Sequence, residues 1–363
     1  MDTVTSSDAW RVAAMFAIDG QLTAIEPHDR GHIHRTFIST WEQEGGTRRF
    51  LHQRMNDHVF TDIPALMHNV ELVTGHLKAR AVRAERAFQT LALVPTRLGR
   101  PFLVDQSGPW RTYDYVENTE SFDRCRGPQQ AHQAALAFGH FQAELRELDV
   151  GHLRETIPNF FSSPQRLIQF EDALASDPRG RVGLAAEEVR FALARRDTVG
   201  IFEQRLESGA FPRRVVHGDT KLNNVLFENG TDRAVCVVDL DTCMPAWSLY
   251  DFGDLVRFTA ALSSEDETDL DKVGVDLEIY RALGSGYLEA TSSFLSAEEV
   301  ALMPTAARLV TFTIGLRFLT DYLSGDTYFR TTREHQNLDR ARVQFAQVRF
   351  LEKAAGKIDL RRA

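Results

Sequence analysis

The chain reads as an α+β protein of two lobes, a small β-rich N-lobe followed by a larger helical C-lobe. Three observations predict this. The first third alternates short apolar runs with turn signals, most clearly Glu44-Gly45-Gly46 and Gln106-Ser107-Gly108-Pro109. After Asn118 the texture turns helical, beginning with the Ala-, Leu- and Phe-rich stretch 129–145. One strand-like, polar-rich segment, 215–241, interrupts that helical run. A length of 363 residues leaves room for both lobes, and the change of texture puts their boundary near Glu117, dividing the chain into 1–117 and 118–363.

Taken in order, Ser7 and Asp8 are candidate caps for a short helix reaching Ile18. Leu22 to Pro27 follows, and Ile33 and Phe37 begin a strand towards Thr40. The Gly45-Gly46 turn sends the chain back through Arg49-Phe50-Leu51-His52-Gln53. Leu66, Val70, Leu72, Val73 and Leu77 recur at a helical period across 63–79. Further strands are predicted over 91–98, 101–104 and 110–116, then helices over 163–173, 185–194, 201–207, 265–286, 296–301, 306–323 and 338–357.

Composition narrows the possible partners. Hydrophobic residues make up 43% and charged residues 26%, values of an ordinary globular chain rather than a disordered one. A net charge of −9 opposes binding to nucleic acid or to an anionic membrane. The most basic stretch, 78–86, alternates with Ala, Val and Glu and reads as a solvated helix face. Cys125, Cys236 and Cys243 form no CxxC pair, which argues against a disulfide framework or a zinc site. The N-terminus has no signal-like pattern, and no stretch of 18 uncharged apolar residues is found, so a cytoplasmic location is expected.

The chemistry is concentrated in His217-Gly218-Asp219-Thr220-Lys221-Leu222-Asn223-Asn224. Val215 and Val216 lead into it, and Val225-Leu226-Phe227 leads out. An Asn229-Gly230 hairpin signal then returns the chain through 234–238 to Asp239-Leu240-Asp241. Such a hairpin places Asp239 beside Asn224, and Asp219 with them. Phosphoryl transfer needs that set: Mg²⁺ on the phosphates, an in-line nucleophile and an acceptor for its proton. Asp239 and Asn224 offer the hard oxygen ligands that Mg²⁺ prefers. Asp219 is spaced to take the proton, and Lys221 to offset charge on the phosphoryl group. Asp241 is a candidate for a second Mg²⁺ or for bonding the loop backbone. His217 is read as orienting the loop, and Asp251 and Asp254 as bracing it.

His-x-Asp-x-Lys-x-x-Asn has the spacing of the protein-kinase catalytic loop. With Gly218 and the Asp-Leu-Asp hairpin, the chain resembles the aminoglycoside phosphotransferase and choline kinase superfamily, and most closely the N-acetylhexosamine 1-kinases. Gly31-His32-Ile33, Asn69-Val70-Glu71-Leu72-Val73-Thr74, Asp239-Leu240-Asp241-Thr242 and Asp251-Phe252-Gly253-Asp254 carry the resemblance. So do Arg317-Phe318-Leu319 and Asp321-Tyr322-Leu323. It runs from about residue 10 to about residue 350. It implies a two-lobed protein-kinase-like fold, with a nucleotide-binding N-lobe, a catalytic and substrate C-lobe, and ATP with Mg²⁺ in the cleft. It also implies phosphorylation of the anomeric hydroxyl of N-acetylglucosamine or N-acetylgalactosamine, with Asp219 holding that hydroxyl and Arg317 approaching the sugar. The bland alternative for Arg317 is a pair with Asp321 four residues on.

Two departures bear on the nucleotide. The strand that usually carries a phosphate-pairing Lys reads Phe50-Leu51-His52-Gln53-Arg54. Gln53 matches the hexosamine kinases, and Arg54 is the substitute cation if strand alternation turns it inward. Glu71 is the candidate helix partner of that cation, or an exposed helix Glu. Gly31 alone remains of the glycine-rich loop, covering nucleotide or serving only a turn. His34 stands where the hexosamine kinases tend to have Asn, as a possible contact to substrate or nucleotide. Val116 and Glu117 end a strand where kinases bind adenine through backbone. Two rival readings remain: a kinase of another sugar, an amino alcohol or an aminoglycoside, and a non-catalytic pseudokinase.

Overall fold

The computed structural model describes residues 4–28, 33–81 and 88–358. Helix α1 (Ser6–Ala13) opens on a reciprocal cap: the Thr5 hydroxyl accepts the Asp8 N–H, and the Asp8 carboxylate accepts the Thr5 N–H. The cap is therefore Thr5 rather than Ser7, and Asp8 serves it from inside the helix. The helix also stops short of Ile18.

Strands β1 (Gln21–Pro27), β2 (Arg35–Gln43) and β3 (Gly46–Arg54) follow, the last two closed by the predicted glycine turn. Helix α2 (Ile63–Ala81) crosses behind them. Residues 82–86 of the basic stretch lie outside the described residues. Strands β4 (Leu93–Val94), β5 (Leu103–Asp105) and β6 (Gly108–Asp114) complete an antiparallel sheet ordered β1-β2-β3-β6-β4, with β5 also on β6. Alternation divides its two faces. Phe37, Trp41, Phe50 and Trp110 pack with α1 in a core of their own on one face. Thr36, Gln53 and Arg111 sit opposite one another on the other.

Beyond the linker, the short β7 (Thr119–Glu120) leads to α3 (Pro128–Leu145), which starts with Pro at its first turn. Helices α4 (Ser163–Ser176), α5 (Ala186–Leu193) and α6 (Glu203–Glu207) precede β8 (Arg214–Val216), β9 (Val225–Glu228), β10 (Ala234–Val237) and β11 (Met244–Ala246). β9 and β10 form the expected hairpin, and β8 pairs with β11. Helices α7 (Leu249–Thr259), α8 (Leu277–Thr291), α9 (Ala297–Ser324) and α10 (Gln336–Ala354) finish the lobe. One continuous core joins α2 to the helices of the C-lobe.

Three further helices differ from expectation. α7 is absent from the sequence reading, although Asp251, Asp254 and Arg257 recur through it at a helical spacing. α8 starts only at Leu277, where Asp276 accepts the N–H groups of Glu278 and Ile279 at 2.9 and 3.1 Å. α9 runs unbroken through Pro304, where two helices were expected. α9 carries Arg308 and Arg317 and so holds no 18 uncharged apolar residues in a row, yet by length and composition it is apolar enough to cross a membrane. In this fold 67% of its most apolar 18-residue window is buried, and α9 packs against α4, α7 and α10.

His52 is wholly buried in the N-lobe sheet, its two ring nitrogens each 2.7 Å from a hydroxyl, Ser39 and Thr112. Burial pushes its pKa down to about 3. The unfolded chain takes up a proton near pH 6.5 that the folded chain refuses. The stability from this site is therefore complete above that pH and falls by about 1.4 kcal/mol per pH unit below it. Denaturant melts of His52→Gln below pH 6.5 are expected to lose stability with acid less steeply than the parent. Equal slopes would contradict this.

Candidate active site

An irregular loop between β8 and β9 carries His217 to Asn224, and it is held by side chains rather than by a ladder. Asp251, buried on α7, accepts the N–H of His217 and of Gly218, both at 2.8 Å. Asp254, one turn on, accepts the N–H of Thr220 at 3.0 Å, while the Thr220 hydroxyl donates to the Asp251 carbonyl at 2.7 Å. Arg257 neutralises Asp254 at 2.8 Å. Gly218 has φ +82°, and a Cβ there would lie 2.6 Å from the Phe161 ring and 2.8 Å from the Thr242 carbonyl oxygen. Only glycine fits this turn. His217 donates from Nε2 to the Val238 carbonyl at 2.9 Å and accepts the Asp219 N–H at Nδ1, 3.3 Å. Both nitrogens are spent inside the loop.

Asp219 therefore projects from a fixed backbone. Its Oδ2 accepts from Lys221 Nζ at 2.8 Å and from the Asn224 amide at 3.2 Å. Burial alone raises its carboxyl pKa. The charge and hydrogen bond of Lys221, then His217 and Arg257, outweigh that and bring the net shift below the ordinary value. The Asn224 side-chain N–H₂ also donates to the Asp219 backbone carbonyl at 2.8 Å, which leaves the side-chain oxygen of Asn224 as an acceptor without a partner among the described residues.

The β9–β10 hairpin brings Asp239 to the same place, with the Val238 N–H on the Asn224 backbone carbonyl at 2.9 Å. Asp239 adopts a left-handed conformation, φ +63°, and opens to the cleft with no hydrogen bond among the described residues. Dense protein around it, then the charges of Asp241 and Asp219, push its carboxyl upward. An unpaired carboxylate and a free amide oxygen beside Asp219 form an oxygen set of the kind Mg²⁺ takes.

Asp241 departs from the sequence reading. Both its oxygens are engaged by the Arg111 guanidinium, and Oδ2 also meets His34 Nε2. The pair is buried, with side chains 1% and 3% exposed. Asp241 is thus engaged by side chains of the N-lobe, neither by a metal nor by the loop backbone, the two roles expected of it. The Asn56 N–H donates to His34 Nδ1 at 3.0 Å, so the neutral ring carries its proton on Nε2 and gives it to Asp241. His34 is thus turned towards Asp241, and its ring is almost fully covered.

Arg111 is the cation on the inward face of the N-lobe sheet, where the strand lysine was sought. It lies directly across from Gln53 in the β3–β6 register, and its Nε donates to the Gln53 carbonyl oxygen at 2.9 Å. The cation comes from the neighbouring strand. Arg54 does not supply it: alternation turns Arg54 to the other face, where it bonds Ser107 O at 2.8 Å, Met55 O at 2.6 Å and Asp57 at 2.8 Å. Glu71 is exposed on α2 and forms no ion pair among the described residues, so it is not the helix partner. Asn69 faces inward instead, donating to the carbonyls of Arg154 and Cys243 at 2.8 and 3.1 Å. In the linker, Val116 accepts from the Thr119 hydroxyl and packs on the core, while the Glu117 carboxylate is tied to Arg49. Gly31 lies outside the described residues.

On the far side of the loop, Phe161 covers Gly218 and meets Tyr250 at 4.6 Å between ring centres. Its neighbour Phe160, with Tyr328 and Phe329, surrounds Arg317 at 5.3–5.6 Å from the ring centres. The intrahelical pair with Asp321 does not form. Asp321 instead accepts the N–H groups of Thr327, Tyr328 and Phe329 at 2.8–2.9 Å, and so sets those rings beside Arg317.

A family model described as APH, phosphotransferase enzyme family, matches residues 24–283. The chain belongs to that family. Solved structures share the fold of this phosphotransferase over nearly its whole length. They include a microcompartment-associated aminopropanol kinase, 16% identical with TM-score 0.59, covering 98% of this chain and 100% of that one. An aminoglycoside phosphotransferase from Alicyclobacillus acidocaldarius subsp. acidocaldarius DSM 446 is 14% identical with TM-score 0.57, covering 99% and 98%. Spectinomycin phosphotransferase APH(9)-Ia, solved with ADP and spectinomycin, is 11% identical with TM-score 0.56, covering 99% and 100%.

Sequence reasoning missed two residues of this phosphotransferase. Arg111 sits in a largely buried strand, and its signal was the register that pairs it with Gln53. Asn69 occupies an inward position of α2, three residues after Leu66 and four before Val73. Removing Arg111 strands the Asp241 carboxylate. Arg111→Met is expected to cost about 3–5 kcal/mol in denaturant unfolding, most of it recovered when Asp241→Leu is added. A loss below about 1 kcal/mol for the single variant would contradict a buried pair that matters.

Proposed function

We propose that this phosphotransferase transfers the γ-phosphoryl group of ATP to the anomeric hydroxyl of an N-acetylhexosamine, giving the sugar 1-phosphate and ADP. The observation that supports it most directly is the convergence of Asp219, Lys221, Asn224 and Asp239 at one end of the cleft. Asp219 takes the hydroxyl proton as the acceptor oxygen bonds to phosphorus and the bond to the ADP oxygen breaks. Its lowered pKa keeps it ionised and able to receive that proton. Lys221 balances charge on the transferring group. Asp239 and the Asn224 side-chain oxygen would hold Mg²⁺, which would supply electrostatic stabilisation of the transferring group. Arg111 and Gln53 form the N-lobe wall opposite, and backbone at Val116 and Glu117 is where adenine would bond.

The acceptor side favours a sugar over a polycation. Aminoglycosides and amino alcohols call for carboxylates around the acceptor. Here the prominent charge is Arg317, ringed by aromatic faces and free of any ion pair among the described residues. A pseudokinase has no use for an intact, oriented Asp219 with an open metal set beside it.

A coupled ADP-release assay with Mg²⁺-ATP tests the reading. The acceptor panel is N-acetylglucosamine, N-acetylgalactosamine, their 1-deoxy analogues, glucose, galactose, choline, homoserine and kanamycin. Turnover of the N-acetyl sugars and not of the 1-deoxy analogues is expected. Asp219→Asn is expected to lose at least about 100-fold in kcat. Turnover of choline or kanamycin alone would discard the sugar, and a fully active Asp219→Asn would discard the base.

A further inference from the structure

His34 stands at the entry to β2, its side chain only 6% exposed and both ring nitrogens engaged. Nδ1 accepts the Asn56 N–H at 3.0 Å, so the ring's donor is Nε2, and it meets Oδ2 of Asp241. The first bond is local to the N-lobe. The second crosses to a hairpin 207 residues further along the chain. With both nitrogens spent, the ring has none left for a nucleotide or an acceptor, and it acts through Asp241 instead.

Charge does not account for the second bond. The Arg111 guanidinium already reaches both oxygens of Asp241, so the carboxylate is matched without His34. What the neutral ring adds is a tie between segments. On the N-lobe side it fastens to the turn between β3 and α2. There the Asn56 side-chain N–H₂ donates to the Ile33 carbonyl at 3.3 Å, and its oxygen accepts the N–H groups of His58 and Val59 at 3.1 and 3.3 Å. The buried Phe60 ring lies 5.8 Å from the His34 ring, centre to centre. On the C-lobe side, Asp241 follows Asp239 by two residues. The entry to β2, the β3–α2 turn and the hairpin bearing Asp239 therefore meet at one imidazole.

We propose that His34 is a positioning residue, an interlobe clasp whose Nε2–H on Asp241 holds the cleft at the spacing in which Mg²⁺-ATP binds. Because the clasp orders these segments beforehand, nucleotide binding need not supply that ordering. This rests on the kinase reading above and deepens it.

Two substitutions separate the two bonds. His34→Asn puts an amide oxygen near the place of Nδ1, which keeps an acceptor for the Asn56 N–H, but it is too short to reach Asp241. His34→Gln puts its amide near the place of Nε2, which keeps a donor for Asp241 and gives up the Asn56 bond. Calorimetric titration of Mg²⁺-ATP into the full chain reads the nucleotide site, and small-angle scattering of the nucleotide-free chain reads the spacing of the lobes. His34→Asn is expected to bind Mg²⁺-ATP about tenfold more weakly than the parent and to have a larger radius of gyration. His34→Gln is expected to match the parent in both. A single cooperative unfolding transition certifies the fold of each variant. Should His34→Asn fail that check, His34→Leu, which has no donor and retains an apolar contact for Phe60, carries the same expectation. The reverse pattern, equal effects in the two variants, or no effect in either overturns the clasp and leaves the kinase reading standing. A parent that binds no Mg²⁺-ATP overturns the kinase reading, and this inference with it.

Discussion

Everything at the reaction centre hangs on two carboxylates that never meet substrate. The loop from His217 to Thr220 has no strand or helix to satisfy its backbone, and it is buried, so each N–H needs a partner. Asp251 and Asp254 provide three of those partners from consecutive turns of α7. α7 can come close enough because Gly253 lies against α9, where a Cβ would sit 2.7 Å from the Ala306 carbonyl oxygen. The position of Asp219 is thus set by helix packing well behind it. That rigidity suits the proton acceptor proposed for Asp219, since an error of about 1 Å in placement is enough to lose much of a rate.

A second constraint links the lobes. In place of a lysine paired with a helix glutamate, the N-lobe sends Arg111 and His34 to a single carboxylate, Asp241, two residues past Asp239. Asp241 would otherwise add an uncompensated negative charge beside Asp239 and Asp219. With Arg111 and His34 on it, Asp241 is held well below the usual carboxylate range, and Asp239 is left as the open group. Asn69 fixes the following turn through the Cys243 carbonyl, so α2 contributes by an amide where a charged residue was sought.

The reaction centre was legible because its residues are close in sequence. One loop and one hairpin hold Asp219, Lys221, Asn224 and Asp239, and an Asn-Gly turn signals how they meet. The two-lobed α+β architecture was legible from texture alone. What escaped was long-range. Arg111 is 130 residues from Asp241, and only the strand register reveals that it, not Arg54, enters the cleft. α7 escaped although Asp251, Asp254 and Arg257 recur through it at a helical spacing. The expected break in α9 at Pro304 failed for a different reason: tertiary packing holds the helix through the lost hydrogen bond.

The central claim is that Asp239 and Asn224 form the metal end of a nucleotide site. Calorimetric titration of ATP, with and without Mg²⁺, into the parent and into Asp239→Asn tests it directly, since Asn tolerates the left-handed backbone there. The account predicts that Mg²⁺ tightens ATP binding in the parent and that this gain disappears in the variant. An equal gain from Mg²⁺ in both proteins would contradict it.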